Sequence, residues 1–387
     1  MTERIHRARR AAAHDTDGEA TRRWSLPIAL GAAFALSATL LMGGAVAAQD
    51  DADINGATLD IIALDGEDGD AELAEWRAER DITLAKVPFS SWDETFALLK
   101  TDVFDIALVA NPYVSLWGEA GVLQPLDLSR LSNFENLFPA LRDGSFIRDD
   151  EGNVYAVPIA WGDGPYIYNP ANIENPPTSI TELTDPAWKG RLTTFDNEIL
   201  IFYMLGAAKG YPVPNMTLEQ LEDVKADARL IVDNLSTFSA GYQDATDLLV
   251  RGEADLAIGG WEAMLTWAAE KGTTLDFDFF VEANGGGWSD SLGIPVNAED
   301  VDAAYAYIDA MISPEVNAQI ASNLISAATN SEAVPLVVSD VEYDYGIVGV
   351  SDTPIQFVDW TPPLEAEEGF ATKADWDAAW AEIRAGV

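Results

Sequence analysis

Two glycine-bearing breaks, Trp161-Gly-Asp-Gly-Pro-Tyr166 and Gly285-Gly-Gly-Trp288, interrupt an otherwise regular alternation of apolar strands and amphipathic helices. Before the first break, Thr58–Leu64, Ile82–Val87 and Asp105–Ala110 read as strands. Helices over Ala71–Arg80 and Trp92–Lys100 separate them, and another starts at Pro112, a residue favoured at the first helical position. Val154–Ile159 then returns as a strand. This βαβαβ order predicts parallel strands with helices packed across them. After the break the pattern restarts. Strands are expected at Tyr166–Asn169, Arg191–Phe195, Ala254–Ile258 and Phe277–Val281, with helices ending at Lys209 and Glu270 and helices over Leu218–Leu235 and Tyr242–Arg251. Beyond the second break come a strand ending at Pro295, helices over Val301–Met311 and Pro314–Asn323, a Pro-rich tail and a last helix, Lys373–Arg384. Two α/β units joined by more than one crossing leave a cleft between them. Ligands of open α/β sheets bind at the carboxyl ends of strands, where the loops 65–70, 111–113, 196–198 and 259–261 sit.

The second break carries the most suggestive chemistry. Its glycines let a backbone bend and let a ligand approach closely. Trp288 and Asp290 lie two apart, so in a strand their side chains leave on one face. An aromatic wall beside a carboxylate suits a small cation bearing methylenes: the ring covers the carbons and attracts the charge, and the carboxylate accepts hydrogen bonds. The competing reading puts Trp288 in the core and Asp290 in a turn. The other candidates carry the same two readings. Trp161, Asp163 and Tyr166 lie at the first break, as pocket or as core and turn. Trp261 ends a buried strand beside two glycines, and Tyr242 opens a helix at a cleft-facing loop. Asn111, Tyr113, Asp196 and Asn197 lie in strand-end loops, and Asp65 and Glu67 are pocket acids or solvated ones. Trp92 reads as packing and Asp185 as a turn residue.

The N-terminal stretch excludes whole classes of chemistry. A basic n-region ending in Arg22-Arg23, an uncharged apolar run from Leu26 to Met42 and small residues over Ala45–Ala48 read as an export signal covering 1–48. The paired arginines point to the twin-arginine route, with general secretion as the alternative. Both histidines, His6 and His14, fall in that segment, and the chain has no cysteine. The mature protein then has no His- or Cys-based nucleophile, no His/Cys metal site and no disulfide. The formal charge of −43 becomes −45 once 1–48, with six arginines and four acids, is removed. Such a field repels nucleic acid and anionic membranes. Its whole-surface extent fits a high-salt habitat better than a single cation site.

Ordered signatures carry a resemblance over nearly all of the mature chain. They are Phe104-Asp-Ile-Ala-Leu108 followed by Tyr113, Gly121-Val-Leu-Gln-Pro-Leu-Asp127, Leu131-Ser-Asn-Phe-Glu-Asn-Leu137, Tyr155-Ala-Val-Pro-Ile-Ala-Trp-Gly162, Trp188-Lys-Gly-Arg191 and Trp288-Ser-Asp-Ser-Leu-Gly-Ile-Pro295. In these the chain resembles the periplasmic spermidine/putrescine-binding proteins of ABC importers, a branch of the two-lobed solute-binding proteins. The resemblance implies an α/β, two-lobed periplasmic binding protein (Venus-flytrap, type II) with a ligand cleft between the lobes. It also implies that Trp288 and Asp290 supply one ring and one amine-binding carboxylate. The pattern departs in three places. Leu64-Asp65-Gly66-Glu67 stands where that family has its Trp-Thr-x-Tyr box. Ala110-Asn111-Pro112 replaces a Ser-Thr-Tyr run, and Asp196-Asn197-Glu198 matches the second-lobe acidic pair only roughly. Half of the polyamine pocket motif is therefore absent.

These readings combine into one expectation. Residues 49–159 plus 288–330 form lobe 1, and 160–287 plus 331–387 form lobe 2. The protein is a monomeric, exported, non-enzymatic ligand-capturing component of an ABC importer in the periplasm of a salt-adapted Gram-negative cell. It uses no cofactor or metal, and its partners are a small amine or zwitterion and inner-membrane permease subunits, with no nucleic acid. The alternatives are another organic solute such as an amino acid derivative or opine, a binding protein serving a sensor, and, more remotely, a secreted carboxylate-pair hydrolase.

Overall fold

The computed structural model describes residues 54–386 apart from 90, 150, 284–285, 340, 350–354, 356 and 358–359. The export signal expected over 1–48 and Gly285 of the second break lie outside the described residues. In chain order the first stretch comprises β1 (Thr58–Ile62), α1 (Ala74–Glu79), β2 (Thr83–Val87), α2 (Trp92–Leu99), β3 (Ile106–Ala110), α3 (Val114–Glu119), α4 (Pro139–Arg142) and β4 (Ala156–Asp163). The second comprises β5 (Tyr166–Tyr168), β6 (Leu192–Phe195), α5 (Glu198–Ala208), α6 (Leu218–Asp233), β7 (Leu235–Ser239), α7 (Tyr242–Arg251), β8 (Leu256–Ile258), α8 (Ala263–Glu270) and β9 (Asp276–Asp278). The chain finishes with β10 (Gly287–Gly293), α9 (Val301–Met311), α10 (Pro314–Leu324) and α11 (Lys373–Arg384).

The strands form two five-stranded sheets, ordered β2-β1-β3-β10-β4 and β7-β6-β8-β5-β9. Strands β1, β2 and β3 pair in parallel, as do β6, β7 and β8. The strand that returns across each break is antiparallel: β10 against β3 and β4, and β5 against β8 and β9. Helices on both faces bury the parallel strands, which is why β3 reads as the unbroken apolar run Ile-Ala-Leu-Val-Ala rather than an alternation. Local signals set the helix starts. The Ser91 hydroxyl accepts from the Glu94 N–H ahead of α2, and Thr217 with Gln220 and Thr372 with Asp375 close capping boxes ahead of α6 and α11.

One strand escapes the sequence pattern. Leu235-Ser-Thr-Phe-Ser follows α6 after a single residue, is mostly polar and pairs only with β6 at the sheet edge. An edge strand need bury little, so its alternation is weak. The tail also departs from expectation. Ile347, Val348, Ile355 and Phe357 pack into the core of the first sheet, and only Ala371, Trp376, Ala379, Trp380 and Ile383 join the second core. Residues 331–387 therefore do not go together to lobe 2; apolar side chains near 347–357 and 371–383 partition to different cores. The chain crosses between the sheets after β4, again between β9 and β10, and a third time between 357 and 371. Among the described residues, no helix is long and apolar enough to cross a membrane.

Candidate functional site

The strand after the second break behaves as its spacing predicts. Gly287, Ser289 and Ser291 are buried in β10, whereas Trp288 and Asp290 are half-buried on the other face. Two contacts fix the strand. The Ser289 N–H donates to Asn111 Oδ1 at 3.1 Å, and the Ser289 hydroxyl donates to the Ala160 carbonyl at 3.1 Å. The Trp288 indole lies over Gly162 of β4, its register partner. A Cβ at that position would come within 2.6–2.8 Å of the ring, so only glycine fits beneath it. Trp288 Nε1 is buried and finds no acceptor.

The second sheet supplies the facing wall. β8 ends at Ile258 and turns through Gly259, which takes a φ of +74°. Gly260 follows, where a Cβ would stand 2.3 Å from Ile167. This tight turn delivers Trp261 to the cleft, with its ring centroid 6.2 Å from that of Trp288 and 5.5 Å from that of Tyr242. Trp261 Nε1–H donates to the Ile325 carbonyl at the end of α10 at 3.0 Å, a hydrogen bond between the two halves. Tyr242 opens α7 and stacks edge-on against Phe195 at 4.8 Å, yet it remains 39% exposed, as a side chain in a cleft wall does.

Acidic groups converge on these rings. The Glu67 and Asp290 carboxyls are hydrogen-bonded to each other. Burial pushes Asp290 up to about 7, against the opposing effect of its hydrogen bond from Glu67. Burial, and then the Asp290 charge, lifts Glu67 well above the ordinary carboxylate range. Burial thus disfavours ionisation of both carboxyls, and the charge of Asp290 disfavours that of Glu67 further. Among the described residues neither carboxyl has a lysine or arginine partner. Burial, followed by the charges of Asp290, Glu67 and Glu262, also raises the Tyr242 phenol above its usual value. Deeper in, the Tyr343 hydroxyl donates to the Ile325 carbonyl at 2.9 Å and lies 3.4 Å from Glu262 Oε2. Burial and the Glu262 and Asp163 charges raise that phenol too.

Of the residues singled out from sequence, Trp288, Asp290, Trp261, Tyr242 and Glu67 come together here. Asp163 faces Tyr343 beside them. The other candidates go elsewhere, each for a physical reason. Trp161 is fully buried in β4: its Nε1–H donates to the Ala328 carbonyl at 2.8 Å, and its ring packs edge-on against Tyr343, Tyr345 and Phe357. Tyr166 belongs to the second core, with its hydroxyl on the Pro177 carbonyl and its ring stacked on Phe280 at 4.4 Å. Asp65 is exposed, two residues from buried Glu67. Asp196 accepts from Trp380 Nε1 at 2.9 Å and pairs with Arg384 at 2.8 Å, which ties α11 down. Asn197 caps α5, and its amide reaches the buried Tyr113 hydroxyl at 3.4 Å, so those two meet each other across the halves. Asn111 braces β10 from inside. Sequence reasoning missed Glu262, which directly follows Trp261, and Tyr343, which sits in an irregular tail with no periodic signal.

The comparisons with known proteins agree with this architecture. The family model of bacterial extracellular solute-binding proteins matches residues 74–345. The spermidine/putrescine-binding periplasmic protein of Escherichia coli K12 is 26% identical over 278 residues, covering 70% of this chain and 77% of that relative. Among solved structures, the Tp0655 (TpPotD) lipoprotein of Treponema pallidum superposes with a TM-score of 0.68 at 16% identity, covering 84% of this chain and 99% of that one. The spermidine/putrescine ABC transporter substrate-binding protein PotD of Streptococcus pneumoniae gives 0.65 at 20% identity, covering 85% and 98%. At such identities these likenesses establish the fold, that of the two-lobed periplasmic binding proteins. The chain belongs to the bacterial extracellular solute-binding protein family.

Proposed function

We propose that this protein is the ligand-capturing component of an ABC importer, exported to the periplasm, which takes up a small amine or zwitterionic nitrogen solute. The observation that carries this reading is the Glu67–Asp290 carboxyl pair, set against Trp288, Trp261 and Tyr242 without a cationic side chain of its own. A pair of carboxyls and three rings is the complement of an ammonium group on a short methylene chain. Family membership supports capture rather than covalent chemistry, and the names of its relatives support polyamine-like ligands and permease partners. The two sheets serve as lobes, with the first made of the described residues from Ile54 to Asp163 and Gly287 to Leu324, together with Ile347, Val348, Ile355 and Phe357. Closure of the monomer brings Trp261 onto Ile325 and Asn197 onto Tyr113.

A thermal-shift panel of diamines, triamines, ω-amino acids, opines, sugars and inorganic anions tests the reading. Saturation at about 100 times Kd adds roughly 2.7 kcal/mol of stability, which is readily visible as a melting shift. The amines or ω-amino acids should raise Tm. A shift from sugars or anions with none from nitrogen compounds would reject the proposal.

A further inference from the structure

The Lys373–Glu198 ion pair bears on how many charges a captured amine carries, an inference that rests on the amine-capture reading. Glu198 opens α5 in the second half, directly after Asn197, whose amide meets the Tyr113 hydroxyl of the first half at 3.4 Å. Tyr113 shares the 111–113 turn with Asn111, whose side-chain oxygen accepts from the Ser289 N–H, between Trp288 and Asp290, at 3.1 Å. One turn therefore touches the strand that carries Asp290 and, two residues on, the contact between the halves beside Glu198.

The protein fills this end of the cleft with its own side chains. Ile199 of α5 packs into the first half's cluster with Tyr113 and Trp117, Trp360 lies 5.7 Å from Tyr203 ring to ring, and the Thr361 hydroxyl donates to the Pro112 carbonyl. Lys373 enters from α11 and places its ammonium 3.1 Å from Glu198 Oε1, with both side chains buried. Asp377 and Asp93 also face that ammonium, but they are 49% and 79% exposed, so water solvates them. The buried charge at this end is thus one carboxylate balanced by one ammonium. The Glu67–Asp290 end differs: among the described residues no lysine or arginine partners it.

We propose that Lys373 is a specificity-determining residue: its ammonium occupies the place beside Glu198 that a second ligand ammonium would need, so the cleft selects amines with one cationic end over α,ω-diamines. A diamine seated by one end on Asp290 and extended along the 111–113 turn meets a like charge there instead of a free carboxylate. Like charges shielded from water repel strongly, and a buried ammonium without a carboxylate is costly. An amine whose other end is uncharged meets no such penalty.

Calorimetry on the mature protein tests this, with putrescine and cadaverine set against butylamine and pentylamine, which have the same chain lengths and one ammonium each. Salt at about 1 M, where the Debye length is about 3 Å, removes the general pull of the acidic surface on dications. The parent should bind each monoamine about tenfold or more tighter than its diamine. Lys373→Met keeps the apolar stem and vacates only the place of the ammonium, which leaves Glu198 to pair with the ligand's second ammonium. The preference should then reverse, and the diamine, not the monoamine, should restore the melting temperature that this variant loses. If Lys373→Met is unfolded without ligand, recovery of the fold in diamine but not in monoamine reads the same. Lys373→Met combined with Glu198→Gln should not favour the diamine, because no carboxylate remains to pair with it. A preference that Lys373→Met leaves unchanged would overturn the role of Lys373 while amine capture stands. If no amine binds parent or variant, both readings fall.

Discussion

Lys373 is the one lysine buried in a cluster of acids among the described residues, and its removal has a magnitude the structure sets. It stands at the start of α11, with its ammonium 3.1 Å from Glu198 of α5, hydrogen-bonded to Asp377 one turn on and 3.9 Å from Asp93 of α2. The Lys373 and Glu198 side chains are 8% and 9% exposed, whereas Asp93 and Asp377 are 79% and 49% exposed. The two exposed partners contribute about 0–1 kcal/mol each. Glu198 is the costly one. Lys373→Met keeps the apolar stem but leaves a buried carboxylate without its cation, at a cost of about 3–5 kcal/mol. Burial already raises Glu198 above its usual range, and the Lys373 charge holds that rise in check. Without Lys373 the carboxyl shifts further up. Stability carried by a raised carboxyl is full at low pH and is lost as pH rises through the folded pKa, so the deficit should be large at pH 8 and smaller at pH 5. Urea denaturation of Lys373→Met at both pH values reads this directly. Adding Glu198→Gln should recover most of the loss, because the stranded charge is gone. A deficit below about 1 kcal/mol, or one equal at both pH values, would show that Glu198 is hydrated and that the buried-pair argument fails.

Two further outcomes follow from the site and the surface. Asp196→Asn should loosen α11 by weakening its contacts with Trp380 and Arg384, lowering stability by about 1 kcal/mol while leaving the Kd for the ligand unchanged; a loss of affinity without loss of stability would return Asp196 to the pocket. With a formal charge of −43 on the full chain, Tm should rise markedly from low salt to about 1 M, where the Debye length is about 3 Å; a flat response would mean that the acids are spaced beyond mutual repulsion.

Much of this molecule was legible from local pattern, and what was not has identifiable causes. Strand parity placed Trp288 and Asp290 on one face because β10 keeps its period of two through that stretch, and the two glycines before Trp261 marked a real turn. The same parity in the loop after β1 was not readable. Without a strand to fix direction, nothing distinguished exposed Asp65 from buried Glu67. Trp161 and Tyr166 misled because the first break looks like a pocket rim. The chain bends only at Gly164 and Pro165, so β4 and β5 continue to either side and their aromatic rings face the two cores. Asp196 and Asn197 were drawn in by their place after β6, where helix capping and the docking of α11 use them instead. Tyr343 was invisible because it acts through tertiary contacts from an irregular segment. The division of the tail between two cores depends on the same long-range packing.

The central claim is that Asp290, with Trp288 over it, anchors a positively charged nitrogen, and titration calorimetry of Asp290→Asn tests it most directly. The ligand is the nitrogen compound that gives the largest melting shift in the panel, measured at about pH 8, above the value of about 7 to which burial pushes Asp290. The substitution keeps the shape and removes the charge. The account predicts a loss of about 2–5 kcal/mol, roughly 30-fold to several thousand-fold in Kd, with the fold intact by circular dichroism. Trp288→Ala, measured alongside, should cost on the order of 1–3 kcal/mol. Parental affinity in Asp290→Asn, or a true ligand that proves to be an anion, would contradict the account.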